Sequence, residues 1–340
     1  MPSNSHPTRA RRSTGKATLA DVARMAGVGQ MTVSRAIRTP KLVSEQLREK
    51  IQQAIQQLAY IPNATARDLA SASSRNIVII TSSITSTENT LILATLQKEL
   101  QILDMQLIIL LATNKDWLKE LINHSPAAII SLNFKFPKAE ADWIKTSGTI
   151  CIEIGATQKD PLGINVCIDS KSAIQNMLCF LIGKGYREIG LLSAKQDLAI
   201  FQQYLESWHT TLLAKYINPH LMLHCAEPIS FSSGAKLLND ALLTWGRIDV
   251  LVFLSDELAC GALFEAHRKH LSIPNDFSIV GLGGLNVSSV SHPRLTTIHI
   301  PYEQLGTIAG QKLVELLQSD TPVNQIEIIE LPTKLIVRDS

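Results

Sequence analysis

Thr18-Leu19-Ala20-Asp21-Val22-Ala23-Arg24-Met25-Ala26-Gly27-Val28-Gly29-Gln30-Met31-Thr32-Val33-Ser34-Arg35-Ala36-Ile37-Arg38 is the stretch from which the rest of the chain can be read. Thr18 and Asp21 stand at the T-x-x-D spacing of a capping box, Val22, Ala23 and Met25 supply an inner face, and Gly27 is placed as a C′ stop, so a short helix is expected. After the turn Gly27-Val28-Gly29, a second helix is expected from Gln30 to Arg38, ending at Thr39-Pro40. A third starts after Ser44, carries Leu47, Ile51, Ala54 or Ile55, and Leu58 on one face, and stops at Pro62. Three helices, the first two joined by a glycine-containing turn, are the helix-turn-helix plan.

In that plan the second helix enters the major groove and its N-terminal side chains reach base edges. Gln30, Met31 and Arg35 hold those positions: Gln30 can pair bidentately with adenine, Arg35 with guanine, and Met31 can cover a thymine methyl. Arg24, Thr32, Ser34 and Arg38 suit phosphates, which set register without reading sequence. Val33 is expected in the core, facing the first and third helices, and Met31 on the opposite, exposed face.

Charge supports a polyanionic partner for this part of the chain. Residues 1–75 carry 12 Lys/Arg against 4 Asp/Glu, whereas the remainder carries 20 against 26, although the whole chain is only +2. Residues 1–17 read as a basic flexible tail, 18–62 as the DNA-binding head, and 63–75 as a hinge helix or linker. Residues 76–340 form the body.

With 340 residues, 45% of them apolar and 18% charged, the chain is globular and too long for one ordinary domain. Beyond residue 75, apolar runs of strand length alternate with longer helical patterns. The runs are 77–81, 107–111, 127–132, 149–154, 189–192, 221–224, 250–254 and 278–282; the helical stretches include 88–104, 170–184, 197–215, 232–244, 255–270 and 302–318. Parallel strands need crossover helices, so this alternation predicts an α/β body of two doubly wound parallel-sheet lobes, with a cleft at the strand carboxyl ends.

The five cysteines include no C-x-x-C pair and read as small core residues in a reducing compartment. No apolar signal segment follows the basic tail and no run is long enough to span a bilayer, so a cytoplasmic location without membrane association is expected. Gly281-Leu282-Gly283-Gly284 after an apolar strand hints at a dinucleotide loop, but Asn286 replaces the third glycine and no helix-forming pattern follows. The nine histidines show no metal-ligand spacing and no G-x-S-x-G elbow occurs; no cofactor, metal or enzymatic activity is expected.

The segment 18–38, with Val43-Ser44, Leu58-Ala59-Tyr60-Ile61-Pro62-Asn63 and Ala66-Arg67-Asp68-Leu69-Ala70, resembles the LacI/GalR family of bacterial transcriptional regulators. The stretch from Ser278-Ile279-Val280-Gly281 to Pro293-Arg294-Leu295-Thr296-Thr297-Ile298 is similar as well. The resemblance implies a helix-turn-helix head on a periplasmic-binding-protein-like body. A homodimer bound to double-stranded operator DNA, probed by a small-molecule effector between the lobes, is the mode of action it implies. Gly29 departs from the hydroxyl residue common there. The hinge of the family is a helix that pairs over the minor groove, so the resemblance assigns Asn63, Ala66 and Leu69 to that contact, Leu69 as the inserted wedge. A disordered linker is the other reading.

The resemblance also places five residues toward the effector: Glu153, Gln203, Ser255, Asp256 and Gly283. Gln203 is matched to a position where sugar-responsive members carry arginine, Ser255 to an asparagine, and Gly283 to an aspartate. Ser255 is equally readable as the N-cap of a helix starting at Asp256. Met31-Thr32-Val33-Ser34-Arg35 and Arg38-x-Pro40 resemble the gluconate-type branch, which implies a sugar acid such as gluconate. Two rivals stand beside this reading: a periplasmic-type small-molecule receptor and a Rossmann-type enzyme. The absence of a leucine heptad after Ile336 favours a dimer over a tetramer.

Overall fold

A helix of two or three turns cannot hold its shape in water without burying a face, and the head solves this with one small shared core. The computed structural model describes residues 17–38, 42–60, 74–113, 116–195, 200–319 and 325–340, which fall into two units parting between Ser73 and Ser74. In the head, α1 (Leu19–Ala26), α2 (Gln30–Arg38) and α3 (Glu45–Gln57) converge on Val22, Ala23, Val33, Ala36, Ile51 and Ala54. The capping box of α1 is formed: Thr18 N donates to Asp21 Oδ2 at 2.9 Å and Asp21 N to Thr18 Oγ1 at 3.3 Å. Gly27 ends α1 in the left-handed region at φ 69°. Ser44 occupies the N-cap of α3, but its hydroxyl makes no capping bond.

Among the described residues, the body holds two six-stranded sheets. β1 (Asn76–Thr81), β2 (Gln106–Leu111), β3 (Ala128–Leu132), β4 (Ile150–Gly155) and β5 (Ile164–Ile168) build the first with β11 (Glu327–Leu331), in the order β11-β5-β4-β3-β1-β2. All its pairings are parallel. The second contains β6 (Ile189–Lys195), β7 (Met222–Pro228), β8 (Val250–Phe253), β9 (Ser278–Gly283), β10 (Thr296–His299) and β12 (Lys334–Ile336), in the order β12-β10-β9-β8-β6-β7. Only β12 runs antiparallel, against β10.

The helices are α4 (Thr87–Leu100), α5 (Trp117–His124), α6 (Lys138–Ser147), α7 (Ser170–Gly183), α8 (Ile200–Ala214), α9 (Phe231–Thr244), α10 (Asp256–Arg268), α11 (Asn286–Val290) and α12 (Tyr302–Gln318). The chain passes between the sheets three times, after β5, after β10 and after β11, and these crossings form the hinge of the two lobes. Strands buried on both faces read as continuous apolar runs, as in Ile77-Val78-Ile79-Ile80, whose members are all at most 2% exposed.

Several expectations change. Strands β5, β10, β11 and β12 and helices α5 and α6 stand outside the runs named from the sequence. A five-residue helix, α11, follows the Gly281–Gly284 loop where none was expected. Four cysteines are buried as read, but Cys179 is exposed. No helix among the described residues is long and apolar enough to cross a membrane.

Packing of α9 on α10 is unusually close. A Cβ added to Gly234 would lie 2.0 Å from the Leu258 carbonyl oxygen, which belongs to backbone and cannot rotate away. Gly234→Ala should therefore destabilise the body by about 1–3 kcal/mol, the range for overpacking a tight core. Gly246→Ala, where a Cβ would meet nothing within 4 Å, should stay within about 0.5 kcal/mol. Urea unfolding of both variants checks this; equal midpoints would show that the two helices can slide apart at no cost.

Candidate functional site

Helical periodicity divides α2 into two faces. Val33 is 0% and Ala36 7% exposed in the head core, while Met31 is 78% exposed and Gln30 and Arg35 are also exposed. The three residues expected to read bases thus share the outer face of one helix. Thr32 and Ser34 are half-buried at its flanks. The Arg24 guanidinium lies 3.2 Å from Asp21 Oδ1 with its side chain 80% exposed, so this pair is a weak, salt-screened one that a phosphate can displace. Hydrogen bonds from Thr18 hold the Asp21 carboxyl below the usual carboxylate range. Arg38 is the last residue of α2, and its side chain lies outside the described residues, as do Asn63, Ala66 and Leu69.

None of the five residues assigned to the effector lines the small cavity between the lobes. Glu153 is buried at the end of β4, where its Oε2 accepts from Leu162 N at 2.7 Å, and burial pushes its pKa up. Ser255 is the N-cap of α10, its hydroxyl accepting from Glu257 N at 3.1 Å. Asp256 is fully buried: Oδ1 accepts from Thr297 Oγ1 at 2.5 Å and Oδ2 from Leu285 N at 2.7 Å. Burial raises its pKa to about 6 against these bonds. Gly283 lies beside it, as a Cβ there would stand 3.6 Å from Asp256 Oδ2.

Asp256 also accounts for the glycine-rich loop. A Cβ on Gly281 would meet its Oδ1 at 2.3 Å, and one on Gly284 would meet the His299 backbone at 2.6 Å. These glycines make room for a carboxylate and a neighbouring strand.

Gln203 bridges the lobes but does not line the small cavity between them. Its Nε2 donates to the Thr157 carbonyl at 2.8 Å and its Oε1 accepts from Ser170 Oγ at 2.9 Å, fastening α8 to the first lobe and to the start of α7. The next residue, Tyr204, faces inward, because one step along a helix rotates a side chain by about 100°. With Tyr302, Glu88 and Asn133 it supplies the polar atoms of the inter-lobe cavity; the rest of the wall is Gly155 and aliphatic residues such as Ile168, Leu282 and Ile300. The cavity has a volume of only about 30 Å³. Burial raises the pKa of Glu88 and of both tyrosine hydroxyls. Across the seam, Thr87 Oγ1 donates to Glu257 Oε1 at 2.5 Å. A sequence pattern had pointed to none of Tyr204, Tyr302, Glu88 or Asn133.

Comparison with known proteins agrees with both units. Residues 18–63 match the bacterial regulatory proteins of the lacI family and residues 179–340 the periplasmic binding protein-like domain. The chain joins a LacI-family helix-turn-helix head to a periplasmic-binding-protein-like domain. It is a DNA-binding transcriptional regulator and not an enzyme. Among LacI-family relatives, it is 27% identical over 318 residues to the HTH-type transcriptional regulator GntR of Pseudomonas aeruginosa, covering 90% of this chain and 91% of that protein. It is 28% identical to the regulator of the same name from Escherichia coli K12, covering 89% and 92%. In fold it is similar to a LacI-family regulator from Silicibacter pomeroyi, with a TM-score of 0.86 at 21% identity over 95% of this chain and 99% of the other. The lac repressor dimer bound to operator and the anti-inducer ONPF matches with a TM-score of 0.76 at 24% identity, over 95% and 98%.

The buried Asp256 gives a pH signature. A carboxyl whose folded pKa lies above its unfolded value stabilises the fold fully below the unfolded pKa, and that contribution is lost as pH rises through the folded value. Relative to Asp256→Asn, the wild-type chain should gain stability as pH falls from about 6.5 to 4, since its pKa moves from the ordinary carboxylate value of 3.8 to about 6 on folding. Thermal unfolding of both proteins across that window tests this. A constant difference between them would mean that Asp256 titrates as it does in the unfolded chain.

Proposed function

We propose that this LacI-family regulator represses transcription as a homodimer on a two-fold symmetric operator, with its operator affinity set by a small metabolite that biases the angle between the body lobes. One observation carries the DNA half of the reading: Gln30, Met31 and Arg35 share the exposed face of α2 while Val33 and Ala36 anchor the opposite face. Gln30, Met31 and Arg35 read base edges; Arg24, Thr32, Ser34 and Arg38 hold phosphates. Asn63, Ala66 and Leu69 contact the minor groove, Leu69 as the wedge that kinks the duplex.

Dimerisation has support in the body. Strand β2 is an edge strand of the first sheet, and Leu107, Ile109 and Leu111 on it are 37%, 46% and 39% exposed. An exposed apolar edge strand in a monomer is a template for unwanted pairing, and a second copy covers it. Phe231 and Phe264, with ring centroids 5.8 Å apart and both exposed, offer a similar patch on the second lobe. Two heads then address two half-sites.

Effector control follows from linkage: a ligand changes operator affinity only through unequal binding to the two lobe arrangements. The Gln203–Thr157 and Thr87–Glu257 bonds both span the lobes, so any change of lobe angle has to break or remake them. The effector proposed is a sugar acid such as gluconate, supported by the resemblance of Met31–Arg35 and Arg38-x-Pro40 to the gluconate-type branch.

Two outcomes are expected. Arg35→Ala should lose about 1–3 kcal/mol of binding at one symmetric base position and leave binding to random duplex nearly unchanged, measured by fluorescence anisotropy at several salt concentrations. Equal losses on operator and random DNA would remove Arg35 from base readout. Ile109→Lys should yield a folded monomer in sedimentation and lower operator affinity without altering the head; a persistent dimer would place the interface elsewhere.

A further inference from the structure

The cavity between the lobes has a wall unlike that of an ordinary anion site. Among the described residues that line it there is no Lys, Arg or His, and its one acidic side chain is Glu88, in the first turn of α4. Two phenols face that carboxyl from the other lobe, Tyr204 on α8 and Tyr302 on α12. Asn133 and Gly155, from the ends of β3 and β4, bring no charge, and Asn133 Nδ2 is already committed to Asn89 Oδ1 at 2.7 Å.

A second carboxylate reaches the same seam from α10. Glu257 stands in the first turn of that helix, held by Thr87 Oγ1 at 2.5 Å, and its charge acts on Glu88. Like charges that face each other in a poorly hydrated seam disfavour the ionised form of both. Burial pushes the Glu88 carboxyl up, with Glu257 adding to the effect and the Glu88 backbone N–H and Ser86 opposing it. Burial also keeps both phenols neutral, so they remain hydrogen-bond donors.

We propose that Glu88 selects the effector in the seam by meeting a sugar acid as a neutral carboxyl, so that each acid bound brings one proton with it. The Glu88 O–H donates and the carboxylate oxygen of the acid accepts, a charge-assisted bond that replaces the missing cation. The proton comes from solvent, and no covalent bond changes. Tyr204 and Tyr302 donate to the same anion or pair with the ligand hydroxyls. With a volume of about 30 Å³ the cavity has room for about one water, so the acid enters as the lobes part and the Thr87–Glu257 bond is remade. The inference rests on the effector reading above and deepens it, making the response to the acid depend on pH.

Calorimetric titration of gluconate into the full chain without DNA, repeated in buffers of different ionisation enthalpy, counts the protons. About one proton should be taken up per gluconate near neutral pH. Binding should weaken up to about tenfold for each unit rise from about pH 6 to 8, because the bound state favours the protonated carboxyl. Glu88→Gln, an isostere of the neutral carboxyl, should bind gluconate with no proton taken up and a flat pH profile, whereas Glu257→Gln should keep the wild-type slope. The wild-type proton count stands whether or not either variant folds. Gluconate bound by wild type with no proton taken up, or a slope that survives in Glu88→Gln, overturns this inference and leaves gluconate as the effector. No binding by wild type anywhere in that range removes gluconate itself, and the proton with it.

Discussion

Burial of Val33 and Ala36 is the constraint from which the function follows. The head has one small core, and α2 has few apolar side chains to give it. Once Val33 packs against Val22 and Ile51, the helical repeat turns Gln30, Met31 and Arg35 away from the protein. Exposing Met31 at 78% leaves a large apolar side chain in water, which is unfavourable unless a partner covers it. A thymine methyl in a major groove is such a partner.

The body obeys a different constraint. Two sheets joined by three crossings can pivot, so whatever fastens one lobe to the other sets the resting angle. The fastening is by a few polar bonds around an apolar seam: Gln203 to Thr157 on one side, Thr87 to Glu257 on another, with Tyr204 and Tyr302 buried between. Asp256 stiffens the second lobe by tying the β9 end loop to β10 through Leu285 and Thr297. A carboxylate committed to two internal donors is a structural strut, and Gly283 beside it holds φ 141°, a backbone conformation that side chains rarely adopt.

Local signals were legible in the sequence. Thr18 with Asp21, Gly27 and the Val22/Val33/Ile51 pattern rest on neighbours within a turn or two, and they define the head. Long apolar strands such as Ile77–Thr81 were equally plain. Strand β12, of three residues, and β10, with two threonines among four, carry too little pattern to stand out. Helices α5 and α6 start at Asp116 and Pro137, whose side chains give no capping bond to announce them. The effector residues were legible only through resemblance: Gln203 and Tyr204 differ by one step of helical phase, and Asp256 is bound to partners 29 and 41 residues away that no local pattern reveals.

The most direct test of the central claim is selection of bound sequences from a random duplex library, carried out with the full chain and again with Gln30→Ala. The outward face of α2 predicts that wild type enriches an inverted repeat and that the variant changes base preference at one symmetric pair of positions within it. An identical motif from both proteins, or no enriched motif from wild type, would contradict it.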